Sequence, residues 1–224
     1  MNIRKITLLL VCTAWILCST EGNALGSRNC CSTCLPHTNN TQVPVEPAFG
    51  SLIFPARLIN SSNQSTNPDS HLTTGTTPSP VYIEAWTLSP PSLSTKQYTV
   101  TFNLPYDFVD GSNTEALISF LTDDNGDAAN IVTGNAVLQL SVLSAAPNTN
   151  SPTGPATVVT SSPGIPVQSS SSATGYNYYQ TSFNLGTGYA PGDFILLTIT
   201  RVSPDSYAPN LFLTSIEFKY AAGT

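Results

Sequence analysis

Basic and ionisable side chains are what this 224-residue chain has least of. Charged residues make up 9% of it, and after residue 80 the only bases are Lys96, Arg201 and Lys219. No basic footprint exists for nucleic acid or for an anionic membrane surface, and neither is expected as a partner. Histidine is confined to His37 and His71. A Ser-His-Asp triad or a histidine metal site in the body of the chain would therefore have to recruit its N-terminal part. Lysine, glutamate and arginine are too sparse for a helical protein, whose exposed faces use them heavily. Cysteine stops at Cys34, and methionine occurs only as Met1. Apolar runs long enough to span a bilayer are missing, since Ile6–Cys18 covers 13 residues where a span needs about 20.

That run has the form of a secretory signal, with Arg4 and Lys5 ahead of it and small residues behind. Residues 1–26 are read as a signal peptide cleaved after Ala24-Leu25-Gly26, with Thr20-Glu21-Gly22 as the alternative site. From Ser27 onward 12 acids face 5 bases, a net charge of −7. No membrane insertion follows signal removal, so the product is expected to be secreted or held at the cell surface.

Residues 27–47 are expected as a flexible, cysteine-containing segment. Cys30, Cys31 and Cys34 survive signal removal as an odd number of thiols in an oxidising compartment, which points to disulfides, including bridges between subunits. Haem attachment needs His directly after the second cysteine of C-x-x-C, and Leu35 stands there. Zinc on Cys31, Cys34 and His37 would lack a fourth ligand. Asn39, Asn60 and Asn63 fit the N-glycosylation pattern in a Ser/Thr-rich stretch where chance matches are common.

The body of the chain alternates with a period of two. Tyr98, Val100, Phe102 and Leu104 share one face of an extended run, with Thr99, Thr101 and Asn103 on the other. Ala136, Leu138, Leu140 and Val142 repeat the pattern, as do Phe212, Thr214, Ile216, Phe218 and Tyr220. Glu115–Thr122 is apolar on both faces, as in a central strand. Strands are expected over 81–87, 97–104, 115–122, 135–144, 156–160, 176–185, 193–201 and 210–220, with a leading segment near 51–59 at the sandwich edge. Eight main strands separated by turn residues make residues 48–224 an all-β, two-sheet β-sandwich of jelly-roll type. The Pro- and Ser-rich stretch 145–175 is expected as a long mobile loop.

Three features could carry chemistry. Asp123, Asn125 and Asp127 alternate like the first ligands of a calcium loop, although Gly126 and the missing twelfth-position Glu do not fit an EF-hand. Calcium is thus the one ion suggested, and no other cofactor is. The acidic residues between Asp107 and Asp127 could supply a carboxylate pair for a glycosidase or lyase, but nothing singles out a pair, a solvated acidic rim accounts for them better, and no catalytic residue is assigned. Tyr179, Thr181, Phe183 and Leu185 alternate as a core face, which leaves Tyr176 and Tyr178 as exposed rings able to bind a sugar or a protein.

FNLPYDFVDGSNTEALISFL, the GNAVLQL strand, YAPGDFILLTITR and LFLTSIEFKY resemble a jelly-roll module of phage virion proteins and of exported bacterial surface proteins. Its most specific pieces are Leu104-Pro105-x-Asp107, Pro191-Gly192-Asp193 and Thr200-Arg201. The resemblance implies a non-enzymatic fibre-head or adhesin-like role, as a homotrimer that the N-terminal cysteines could cross-link. A monomeric carbohydrate-binding module with a glycan or matrix partner is the alternative, and a hydrolase using the acidic loop the third.

Overall fold

A computed structural model describes residues 48–61, 67–74, 81–94, 96–122, 131–149, 156–170 and 175–223. The expected signal peptide, Cys30, Cys31, Cys34 and the Asp123, Asn125, Asp127 pattern lie outside the described residues. In chain order the elements are β1 (Ala48–Pro55), a 3-10 turn (Ala56–Leu58), β2 (Asn60–Ser61), β3 (Ser70–Thr74), β4 (Val81–Leu88), β5 (Gln97–Asn103) and β6 (Thr114–Thr122). There follow β7 (Thr133–Ala136), β8 (Leu138–Ala145), β9 (Thr157–Thr160), β10 (Ile165–Gln168), β11 (Tyr178–Gly186), β12 (Phe194–Arg201) and β13 (Leu211–Ala222).

Every pairing is antiparallel. The first sheet runs β11-β6-β13-β4-β3, with β1 also on β13, and the second runs β2-β5-β12-β8-β9. Setting aside β1, β2 and β3 leaves β4-β13-β6-β11 against β5-β12-β8-β9, with the chain stepping between sheets at every connection except β8 to β9. This is the eight-stranded jelly roll expected from the alternation.

The inward residues make one core. Ala116, Ile118 and Phe120 of β6, Ile216 and Phe218 of β13, Tyr98 and Val100 of β5 and Ile195, Leu197 and Ile199 of β12 are all fully buried. Each large apolar side chain contributes about 1.5–3 kcal/mol, which together offsets the entropy of ordering the strands. Trp86 sits in this core with its Nε1 donating to the Ala56 carbonyl at 2.8 Å, and Tyr98 Oη donates to the Thr87 carbonyl at 2.6 Å. The first bond pins the 3-10 turn by which the chain crosses from β1 in the first sheet to β2 in the second, and the second ties β5 of the second sheet to β4 of the first.

Among the described residues Arg201 is the one buried base, with a side-chain exposure of 1%, matched by Asp205. Nε and Nη2 donate to the two Asp205 oxygens at 2.7 and 2.8 Å, and further donors reach the carbonyls of Leu88 (3.2 Å), Pro209 (2.7 Å) and Tyr207. Asp205 in turn accepts from the backbone N–H of Val137 (2.9 Å) and of Tyr207 (3.0 Å). A buried charge is tolerable only when so fully satisfied. The cluster ties the β12–β13 loop to both sheets.

Two of the motifs singled out in the sequence hold each other. Pro191 and Gly192 (φ +82°) occupy the corner of a turn closed by Asp193 N–H on the Ala190 carbonyl at 3.1 Å, a type II geometry that requires the positive φ. Leu104 N–H then donates to the Asp193 carbonyl at 2.8 Å, and Gly192 N–H to the Leu104 carbonyl at 3.0 Å.

Four segments depart from expectation. The strand expected over 135–144 breaks at Val137, because the Asp205 side chain takes its N–H from the ladder; β7 then leaves to pair with β10. Within 145–175, β9 falls on the strand expected over 156–160 and extends the second sheet, but β10, expected as part of the loop, is a strand and forms that ribbon. β3, with one apolar residue, is an edge strand on β4 that patterning does not reveal. The leading segment is a full strand, β1, whose eight residues pair from Ala48↔Ala222 to Pro55↔Ser215.

Candidate functional site

The outer face of the first sheet carries the exposed chemistry. Its rows follow from register: Tyr178, Leu121, Phe212 and Thr87 lie side by side across β11, β6, β13 and β4, and Asn184, Glu115, Lys219 and Ser51 across β11, β6, β13 and β1. Between these rows β6 presents Ser119 and Leu117, flanked by Gln180 and Ser182 on one side and by Ser215 and Glu217 on the other. A bulge between Leu213 and Ser215 puts Thr214 beside Ser215 opposite Ser119, crowding hydroxyls onto this part of the face.

Ser119 and Leu117 are 6% and 9% exposed, while Gln180 and Ser182 are exposed and Ser215 and Glu217 are half-buried. β6 is thus the floor of a shallow trough whose walls are β11 and β13. Apolar packing closes one end of the floor, where Leu72, Ala85, Leu121 and Phe212 form a small cluster.

Tyr178 stands on the β11 wall. Its hydroxyl shares a hydrogen bond with Ser119 Oγ at 3.0 Å, yet the residue is 61% exposed. A ring tethered at its tip and still open to solvent leans across the sheet and offers a π face. Gln180 Nε2 also donates to Ser119 Oγ at 3.3 Å, and Thr214 Oγ1 donates to the Ser119 carbonyl at 3.0 Å. Tyr176 is half-buried, its ring edge-on to Phe212 at 6.1 Å and 84°. The two tyrosines singled out in the sequence therefore meet on one face. Tyr179 points inward and stacks on Phe120 at 5.6 Å. Gln180 adjoins the tyrosines in sequence, whereas Ser119 and Thr214 were not foreseen; the single serine in Ala116–Leu121 was their only trace.

At the far end of the trough is a cleft of about 310 Å³ lined by Phe49, Asn113, Glu115, Asn184, Lys219 and Tyr220. Phe49 is 81% exposed. Burial, then the neighbouring Asp107 carboxylate, pushes the Tyr220 hydroxyl above its ordinary range. A wider cleft of about 780 Å³ opens where β13 passes from β4 to β1, lined by Pro55, Arg57, Tyr82, Ile83, Glu84 and Thr214. There Arg57 and Glu84 form a two-pronged ion pair, so the charged groups of that cleft already satisfy each other.

Of the described carboxylates, Asp69, Glu84 and Asp205 are ion-paired and Asp193 accepts from Ala190 N–H at 2.9 Å. Among the described residues no group of three or more His, Cys, Asp or Glu side chains is placed to hold a metal ion. None of their helices is long and apolar enough to cross a membrane.

No known family and no curated protein matches the sequence. Among solved structures the chain is similar to the xylan-binding module CBM15, at 10% identity over 80% of this chain and 100% of that one, with a TM-score of 0.38. It is similar to the CBM36-1 domain of a multidomain xylanase from the hindgut metagenome of Trinervitermes trinervoides, at 10% identity over 78% and 100%, TM-score 0.36. A third is the isomalto-dextranase of Arthrobacter globiformis T6 complexed with panose, at 12% identity over 75% of this chain, TM-score 0.37. The chain spans 23% of that enzyme's length, and 13% of latent PorU from Porphyromonas gingivalis. No phage fibre head is among these four. With TM-scores of 0.38 and below, the likenesses assign this chain neither a family nor a ligand.

Proposed function

We propose that this chain is an exported, non-catalytic module that binds a polysaccharide on the outer face of its first sheet. The observation that carries the reading is Tyr178: a ring 61% exposed, held by its own hydroxyl over a floor of Ser119, Gln180 and Thr214. An amphipathic ring fixed before the ligand arrives costs little ordering on binding, and hydroxyl and amide groups beside it match the polar rim of a sugar. The signal-like N-terminus supports export. On the homotrimer expected from the sequence the same face would serve an adhesin, and light scattering with and without reductant would show that assembly.

The test is affinity electrophoresis and calorimetry against a panel of soluble polysaccharides. Tyr178→Ala should weaken binding by about 30-fold, the effect of losing an interface hot spot worth about 2 kcal/mol. Tyr178→Phe keeps the ring and frees it, and should lose less. A wild-type protein that binds nothing in the panel would end the reading.

A further inference from the structure

The trough leads somewhere. Leu121, opposite Tyr178, and Glu115, opposite Asn184, are six residues apart on β6, about 20 Å at the rise of a strand. Over that distance Leu121, Ser119 and Leu117 are buried, and polar side chains flank them on both sides, Gln180 and Ser182 on β11 and Ser215 and Glu217 on β13. The 310 Å³ cleft with its exposed Phe49 closes the run, and it lies at the small end of ligand pockets, which span roughly 300–1,000 Å³.

We infer that trough and cleft form one continuous site for an extended, uncharged glycan of several sugar units lying parallel to β6, stacked on Tyr178 at one end and on Phe49 at the other. This rests on the glycan reading above. Lys219 and Glu115 are register partners across β13 and β6, yet neither belongs to an ion pair of the described residues. An ammonium donor and a carboxylate acceptor side by side, with the Asn113 and Asn184 amides, can grip neighbouring hydroxyls by charge-assisted hydrogen bonds. Their charges cancel locally, Glu217 adds a negative charge to the wall, and the chain from Ser27 on carries −7. That field repels a uronate-rich chain and leaves a neutral one unhindered.

The experiment uses the mature protein and the di-, tetra- and hexasaccharides of whichever neutral polysaccharide the panel identifies. Affinity should rise from the disaccharide to the longest chain. Phe49→Ala and Lys219→Met should each weaken hexasaccharide binding about tenfold, the scale of one lost contact of about 1.4 kcal/mol, and leave the disaccharide on Tyr178 unchanged. Both side chains sit on the outer face, and unchanged melting temperatures will confirm that both variants fold. Equal affinity for di- and hexasaccharide, or a hexasaccharide indifferent to both substitutions, overturns the continuous site while polysaccharide binding itself stands. Tighter binding to a polyuronate overturns the neutral ligand. A panel in which nothing binds defeats the glycan reading and this inference together.

Discussion

Replacing Asp205 by alanine should cost more stability than its position in a loop suggests. The substitution leaves the Arg201 guanidinium, 1% exposed, without its counter-charge, and removes the acceptor of the Val137 and Tyr207 N–H groups. Three backbone carbonyls still face the guanidinium, so part of its solvation survives. Breaking a buried pair from one side costs about 3–5 kcal/mol, and a domain of this size loses roughly 2–4 °C in melting temperature per kcal/mol. The expected drop is therefore roughly 6–20 °C. Trp86, buried to 1% and the only tryptophan among the described residues, reports the transition by its fluorescence. Asp205→Asn keeps an acceptor for one N–H and should fall between. A pair so dry is hardly screened, so the wild-type margin over Asp205→Ala should persist at about 1 M salt. An alanine variant melting within about 2 °C of wild type would refute the idea that this carboxylate holds the β12–β13 loop.

Other expectations follow from single contacts. At Gly134 an added Cβ would meet the Ser206 carbonyl oxygen at 2.7 Å and the Tyr207 Cα at 2.8 Å, both backbone, so Gly134→Ala should cost about 1–3 kcal/mol in urea unfolding. Burial works against the Asp69 carboxylate, but bonds from Lys96 Nζ (2.8 Å) and Thr87 N–H (2.7 Å) win and hold its pKa below the ordinary value. Its contribution is present above about pH 3.9, the ordinary aspartate pKa, and is lost as pH falls through the lower folded value. Since the pair is partly exposed, Asp69→Asn should remove less than about 1 kcal/mol at pH 6, and next to nothing once Asp69 is protonated in both states. Burial, helped by the Asp69 charge, drives the Tyr98 hydroxyl far above the usual tyrosine range. Stability from keeping it neutral is complete below about pH 10 and lost as pH rises from there toward the folded value, and absorbance titration should show Tyr98 ionising only as the fold opens.

The strands were legible because a half-buried strand writes its period into the chain. Phe102, Phe218 and their neighbours declare which face is wet without any knowledge of partners. Breaks in that period were legible only in part. The alternation through Ala136, Leu138 and Leu140 looks unbroken, and what ends the strand is a side chain 68 residues away in sequence, Asp205. β3 carries Ser, His and Thr because an edge strand needs little apolar surface, so composition alone leaves it among the loops. Tyr178 could be singled out because Tyr179, Phe183 and Leu185 claim the opposite face. Ser119 and Thr214 could not be, since they become part of a site only when register and the β13 bulge bring three strands level. Phe49 and Lys219 lie 170 residues apart in the chain and share a cleft only because β1 closes against β13.

The pairing of β1 with β13 also decides how the module bears load. Ala48 stands opposite Ala222, so drawing those two residues apart would peel the ladder one rung at a time, a weak geometry. A pull that enters along the trough and leaves through residue 48 runs parallel to the strands and loads all eight rungs of β1 at once. Held by its N-terminal side and loaded along that face, such a domain would stay folded under a force that would unravel it if applied between residues 48 and 222.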